Sequence, residues 1–477
     1  MIKDVLKNSF IYTFSNVLTK GISFFLLPVY TAILSPIDYG IIELCSVLST
    51  LGVIFFTLQL NEGTGRFFHE QESTERRALF SSTIIWAVLG SYSCMVVLWF
   101  LFTDQLSVFI GVSKEFTYLI ALSIALNGIF YIVRSHLRWK LLPYFDAISS
   151  LTYSLTTILF MILFLVVLRL GLKGVFYAQI CGGAIGVVVA LSFQIKDLVL
   201  RFSVPIFRKV LGFGLPLMPF ALSIFSFHFS DRLVIKEFLG LDDLGVFAVG
   251  GKIAMIITAI SIGLGSALTP LIYKHHKDSE TPKKLGQLLR LYIVLAIGFC
   301  FVLVCFDSYL IDVMAGEKYF AVSLLLPFML LSVFFSNLSQ FFPGLVIHKK
   351  TSTISWIGLF CGVLNCVLNI YLVPIYGLIA AAISTLISFF LYFVLYSWFA
   401  NKYYQIQMSW LRLTVGLTII IFVWYLNSFL QVESNLLNRI AQAIIGLGLI
   451  VIAIIPVKEM RYYLNYTRTT ILKAGKS

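Results

Sequence analysis

Residues 229–252 read Phe-Ser-Asp-Arg-Leu-Val-Ile-Lys-Glu-Phe-Leu-Gly-Leu-Asp-Asp-Leu-Gly-Val-Phe-Ala-Val-Gly-Gly-Lys, and they set ionisable side chains inside sequence otherwise fit for hydrocarbon. Apolar residues continue for about fifteen positions before Asp231 and Arg232, and again beyond Lys252, so all three are expected at bilayer depth. Charge in hydrocarbon is costly and marks a functional site by default. The rest of the chain is expected to be the helical frame that shelters it.

Composition agrees. The chain is 59% hydrophobic and 12% charged, whereas a soluble domain carries about twice that charged fraction. Apolar runs of about twenty residues recur throughout, long enough at 1.5 Å per residue to cross a core of about 30 Å. They predict helices, since β-barrel spans are shorter and alternate. The first run passes through Ser35-Pro36 straight into the next span with no small-residue cleavage site, so it reads as a span and not as a removable signal peptide. The seven cysteines all fall in apolar runs, without a Cys-x-x-Cys pair or a histidine cluster, which gives neither a disulfide frame nor a metal site. No cofactor is expected.

Fourteen spans are expected, near 9–34, 40–60, 80–102, 116–133, 147–168, 174–195, 215–238, 245–269, 288–306, 320–345, 352–373, 377–400, 411–428 and 438–456. With a cytoplasmic N-terminus, 26 of the 35 Lys and Arg residues fall on inward segments and five on outward ones, the orientation that the positive-inside rule favours. Both termini are then cytoplasmic. The formal charge of +13 is thereby explained by orientation, and nucleic acid is not an expected partner. No connection exceeds about twenty residues, which leaves no room for the extramembrane domain of a sugar polymerase or glycosyltransferase.

Laid on itself at an offset of 205, the chain superposes Leu34, Asp38 and Gly40 on Leu239, Asp243 and Gly245. Gly-Leu-Lys-Gly-Val-Phe-Tyr-Ala (171–178) likewise resembles Pro-Ile-Tyr-Gly-Leu-Ile-Ala-Ala (374–381). The expected architecture is all-α and polytopic. It has two pseudo-symmetric six-helix lobes, 1–196 and 197–404, and residues 405–477 add two spans and a basic tail. Parallel repeats place the working cavity between the halves.

On a helix, His228, Arg232 and Lys236 follow at i, i+4 and i+8, and Asp231 is i+3 from His228, so all four share one broad face. That face lines a cavity or makes a structural ion pair between spans, and Lys236 has the further option of snorkelling to the outer interface. Lys20 lies near the middle of the first span. Lys252 and Glu43 are shallower, and Glu43 has a lysine as a candidate partner. Counting Lys20, Arg232, Lys236 and Lys252 against Glu43 and Asp231 gives a net positive interior, which attracts anions. Gly245 and Gly250 are spaced as in a phosphate-binding loop, but the Lys-Ser/Thr that should follow is missing.

Five stretches resemble the polysaccharide exporter and O-antigen flippase branch of the multidrug, oligosaccharidyl-lipid and polysaccharide exporter superfamily. They are Leu-Ser-Pro-Ile-Asp-Tyr-Gly (34–40), Arg-Phe-Phe (66–68), Gly-Phe-Gly-Leu-Pro-Leu-Met-Pro (212–219), Ser-Asp-Arg (230–232), and Leu-Gly followed by Gly-Val-Phe (239–247). Phe247 stands where relatives often carry Tyr. The resemblance implies a MATE-like fold, two lobes in a V, and movement of an undecaprenyl-pyrophosphate-linked oligosaccharide across the bacterial inner membrane. The cargo would be an O-antigen, capsule or exopolysaccharide unit. A polysaccharide polymerase and chain-length regulators are implied as partners beside membrane lipid. Lys20, Arg232, Lys236, Lys252 and His228 would then meet the anionic headgroup, with Glu43 and Asp231 as proton or sodium sites. A lipid-linked peptidoglycan-precursor flippase and a cation-coupled drug exporter remain as alternatives of the same fold.

Overall fold

The computed structural model describes residues 24, 26–258, 260–261, 272, 278, 280–406, 410–429 and 436–454. Among them the regular structure is helical throughout, as a lipid solvent demands, because a helix satisfies its backbone polar groups internally. In chain order the helices are α1 (Leu27–Ile33), α2 (Pro36–Phe56), α3 (Leu60–Phe67), α4 (Thr74–Leu101), α5 (Thr103–Ile110), α6 (Lys114–Trp139), α7 (Pro143–Met161), α8 (Leu172–Ser192), α9 (Val204–Gly214) and α10 (Met218–Phe238). They continue with α11 (Leu241–Ala254), α12 (Thr281–Cys305), α13 (Asp307–Met314), α14 (Val322–Leu338), α15 (Gly344–Ile347), α16 (Thr351–Tyr376), α17 (Leu378–Asn401), α18 (Trp410–Phe429) and α19 (Leu436–Ile454). Among the described residues ten helical stretches are long and apolar enough to cross a bilayer, and each of the fourteen expected spans falls on helix wherever it is described. The protein is a polytopic membrane protein. Outward-facing Val97, Phe100, Leu101, Trp356, Tyr371 and Ile375 are exposed, as side chains meeting lipid should be.

The motif 34–40 now has a physical reading. Pro36 opens α2, where its missing N–H costs nothing. Ser35 Oγ accepts from the Asp38 N–H at 3.1 Å, and Asp38 Oδ2 accepts from the Ser35 N–H at 3.0 Å, a reciprocal cap. Gly40 then permits a backbone contact. A Cβ at Gly40 would stand 2.0 Å from the Leu241 carbonyl oxygen, and a Cβ at Gly245 would stand 1.9 Å from that of Pro36. At an offset of 205, Gly40 corresponds to Gly245 and Pro36 to Leu241. The contact is therefore reciprocal between repeat-related residues, the pattern of a two-fold relation. The repeat extends to whole elements: short α5 follows long α4 just as short α13 follows long α12. Gly111 and Gly316, both at positive φ after those short helices, also lie 205 positions apart.

By internal contacts the chain divides into two compact units, residues 1–249 with 358–381, and residues 250–357 with 382–477. In the first, α2 packs on α10 and α6, α8 packs on α6 and α7, and α3 packs on α9. Buried Leu34, Met161, Leu165, Val175 and Ala178 form one core cluster, and Val47, Ile54 and Phe225 join α2 to α10. Pro216 sits in a single tight 3-10 turn between α9 and α10, and the three run on as one helical stretch, Val204–Phe238, so this proline does not break the helix; Pro270 lies outside the described residues. In the second unit, α12 is packed by α14, α18 and α19. The two C-terminal helices are thus part of a core: a Cβ at Gly446 of α19 would stand 2.1 Å from the Phe301 ring of α12.

Candidate functional site

Helix α10 carries the charged face of the first unit. Its apolar residues Phe225 and Phe227 are buried, and so are Ser230 and Asp231, because α2 and residues 358–381 cover that side. Arg232 lies between two carboxylates. Its Nη1 donates to both oxygens of Asp231, at 2.8 and 2.9 Å, and its Nε donates to Glu43 Oε1 on α2 at 3.2 Å. Nη1 also donates to the His228 carbonyl at 2.9 Å, and the Arg232 N–H donates to Asp231 Oδ1 at 2.9 Å. The guanidinium faces the rings of Phe229 and Phe247 at 5.6 and 5.5 Å, within cation–π range.

Burial makes this cluster tight. The side chains of Arg232, Asp231 and Glu43 are 18%, 3% and 9% exposed. A carboxylate so enclosed is tolerable only because its charge is met by a partner. Within the trio two carboxylates share one guanidinium.

The expected residues fall into three groups. Asp231, Arg232 and Glu43 are joined by ion pairs, and Glu43 is paired with an arginine where a lysine had been the candidate. Lys236 is on the same helix but pairs with Glu237 at 3.5 Å and stands 4.1 Å from the Phe109 ring of α5; the His228 side chain is exposed. Lys252 is half-buried and belongs to the second unit, and Lys20 lies outside the described residues. The Gly245–Gly250 segment is continuous helix, not a phosphate loop.

Several residues escaped the sequence reading. Ser230 Oγ donates to Asn365 Oδ1 at 3.0 Å, and Asn369 Nδ2 donates to the same oxygen at 3.0 Å. Asn365 and Asn369 are both buried, and Asn369 Oδ1 has no hydrogen-bond partner. This amide pair at i, i+4 in an apolar span was a legible polar face. Asp146, fully buried, is held by Arg134 at 2.8 Å and Arg138 at 3.0 Å. In the second unit Asp307 is met by Arg439 at 3.4 Å and hydrogen-bonded by Ser323. Among the described residues no group of three or more His, Cys, Asp or Glu side chains could hold a metal ion.

Comparison with known proteins fits this architecture. A family model described as polysaccharide biosynthesis protein matches residues 5–276, more than half of the chain, and the MatE model matches residues 216–375. No curated protein sequence matches significantly. Among solved structures, the lipid II flippase MurJ in an inward closed conformation superposes with a TM-score of 0.72 at 15% identity, covering 96% of this chain and all of that one. An inward-facing multidrug resistance MATE family transporter superposes with a TM-score of 0.63 at 16% identity, over 85% of this chain and 95% of that one. A transporter of the same superfamily from Pyrococcus furiosus, noted for a binding pocket of reversed polarity, gives 0.56 at 14% identity, over 86% and 96%. At such identities the likeness shows the fold alone.

Proposed function

The chain belongs to the polysaccharide biosynthesis protein family, in a fold shared with flippases and transporters rather than with an enzyme, and we propose that it moves an undecaprenyl-pyrophosphate-linked oligosaccharide from the inner to the outer leaflet of the bacterial cytoplasmic membrane. The cargo in this reading is an O-antigen, capsule or exopolysaccharide repeat unit, handed on to a polymerase and its chain-length regulators. The basic inward segments and basic tail support cytoplasmic termini. The repeat-related contact of Gly40 with Gly245 supports two six-helix lobes, 1–196 and 197–404, with 405–477 appended.

One observation carries the proposal: an arginine at bilayer depth held by two acidic partners, Glu43 and Asp231. A pyrophosphate is a bidentate oxyanion of the kind a guanidinium fork binds best. In this mechanism the cargo takes Arg232 while a proton or sodium ion takes the carboxylates it leaves, so charge stays balanced in a medium that penalises imbalance. Lys20, Lys236, Lys252 and His228 add to the anion's path, the polyprenyl tail stays in lipid, and one lobe rocks against the other. The energy source is then an ion gradient or the membrane potential.

The test is leaflet-resolved accumulation of lipid-linked oligosaccharide in cells carrying Arg232→Ala or Lys20→Ala at normal protein levels. Build-up on the cytoplasmic side supports the path; normal export in both variants makes these cations structural. A second reading, flipping of a lipid-linked peptidoglycan precursor, draws on the superposition with the lipid II flippase MurJ and on a cargo with the same pyrophosphate. Rescue of cells depleted of their own precursor flippase separates the two. The drug-exporter reading predicts instead that the Arg232 variants change resistance to cationic drugs and leave glycolipid export intact.

A further inference from the structure

A cavity of about 300 Å³ lies in the first unit well away in sequence from the α10 cluster, where His69, Thr74, Arg77, Ser81, Lys140 and Asp197 line it beside apolar Phe68, Ala78 and Leu142. The proposed topology puts all three contributing segments on the cytoplasmic side, but only the fold brings them together.

The cavity is built, not incidental. Ser82 Oγ accepts from the Val199 N–H at 2.7 Å and Thr83 Oγ1 from the Ser203 N–H at 3.1 Å, which hold the segment bearing Asp197 against α4. Arg77 is set by its Nε donating to the Gln71 carbonyl at 2.8 Å, leaving its terminal nitrogens for another acceptor. Lys140, only 9% exposed, donates to Asp197 at 2.8 Å. Ser81 is fully buried and shares a 2.7 Å hydrogen bond with His136 Nε2. In the tautomer where His136 donates, the Ser81 hydroxyl proton is free for a ligand. Thr74 is the first residue of α4, a helix of 28 residues. Ser73 Oγ caps only the Arg76 N–H, so other first-turn N–H groups lack intrahelical partners and the helix presents its positive end. Of the nearby acids, Glu70 is already bound to Arg66 at 2.6 Å and Lys209 at 3.0 Å, while Glu75 lies in the first turn of α4.

The geometry points to an anion site that takes a phosphate group. Arg77 supplies the fork, Lys140 an ammonium now paired with Asp197, Thr74 and Ser81 hydroxyl donors, and the α4 N-terminus its free N–H groups. The cavity fits one phosphoryl group and not a sugar chain. Asp197 acts as the resident surrogate, occupying Lys140 until a phosphate displaces it. The phosphate comes either from an anionic phospholipid headgroup or from a soluble phosphorylated compound.

Thermal unfolding of the purified full-length protein tests this with two probes, inorganic phosphate against chloride at matched ionic strength, and nanodiscs of phosphatidylcholine with or without phosphatidylglycerol. Stabilisation of the wild type by inorganic phosphate, weakened about three- to tenfold in apparent affinity in Arg77→Gln, assigns a soluble phosphate. Stabilisation by phosphatidylglycerol alone, reduced in Arg77→Gln, assigns a lipid headgroup. Asp197→Asn is the independent variant: removing the surrogate carboxylate should tighten binding of whichever probe stabilises the wild type. Equal response of wild type and both variants to every probe, or weaker binding in Asp197→Asn, overturns the proposal.

Discussion

Arg232 sits where its removal has two readings, and energetics separates them. Arg232→Ala takes a charged partner from the buried carboxylates of Asp231 and Glu43, a change that costs about 3 kcal/mol or more in comparable buried pairs. A lower melting temperature of the purified protein is therefore expected, and Glu43→Gln in the same chain should restore part of it. Arg232→Lys tests function apart from stability. An ammonium keeps the charge but lacks the planar fork, so the lysine variant should melt close to the wild type while transport of a pyrophosphate cargo falls, measured as cytoplasmic-leaflet accumulation. The charge on α10 was legible because hydrocarbon admits so few ionisable residues. Which partner each charge takes was not. Glu43 is 189 positions from Arg232, and pairing across such a distance depends on how α2 and α10 are set against one another. Asn365 and Asn369 went unread for a related reason: neutral amides weigh little in a search built on charge, yet burial gives their hydrogen bonds the same consequence.

At the scale of elements, length and hydropathy placed the expected spans on helix wherever they are described, because in lipid the backbone has few alternatives. What hydropathy does not encode is close approach. Gly40 and Gly245 let the starts of α2 and α11 touch through their backbones, and Gly214 lets α9 meet the Gln59 carbonyl, where a Cβ would stand 2.7 Å from it. Leu58 and Gln59 are left-handed there, at φ 52° and 53°, a conformation disfavoured for residues with a Cβ. Gly40→Ala or Gly245→Ala should push α2 from α11 and sharply lower the yield of folded protein on size-exclusion chromatography. Gly90→Ala, which meets open space, should leave it unchanged. Beside the α3–α9 junction, hydrogen bonding from Lys209, with the charges of Lys209 and Arg66, holds Glu70 below the usual carboxylate range. A depressed carboxylate stabilises above its unfolded pKa and loses that contribution as pH falls through the folded value. Glu70→Gln should accordingly lower stability at neutral pH and have little effect in acid, a contrast readable in melting curves at the two pH values and weakened by salt.

For the whole molecule, the repeat at an offset of 205 was visible in sequence as three matched residues, and the fold extends it to paired long and short helices and to a reciprocal glycine contact. Such internal symmetry suits a protein that presents one site to each side of a membrane in turn. In the mechanism proposed above, the swap of cargo for cation at Arg232 makes coupling obligatory. Transport in sealed vesicles should therefore depend on an ion gradient or potential, and the dependence should weaken in Asp231→Asn. Indifference of the wild type to both forces would remove the coupling role of Asp231 and Glu43. Cargo chemistry was the least legible property, because a pyrophosphate and a polyprenyl chain are shared by many glycolipids and the sugars face water. The central claim is best tested by reconstituting the purified protein into sealed vesicles with an undecaprenyl-pyrophosphate-linked oligosaccharide, and following its exposure to an impermeant glycosidase. The account predicts protein-dependent translocation that Arg232→Lys impairs while folding is retained. Translocation no faster than in protein-free vesicles, with the same preparation moving an organic cation, would contradict it.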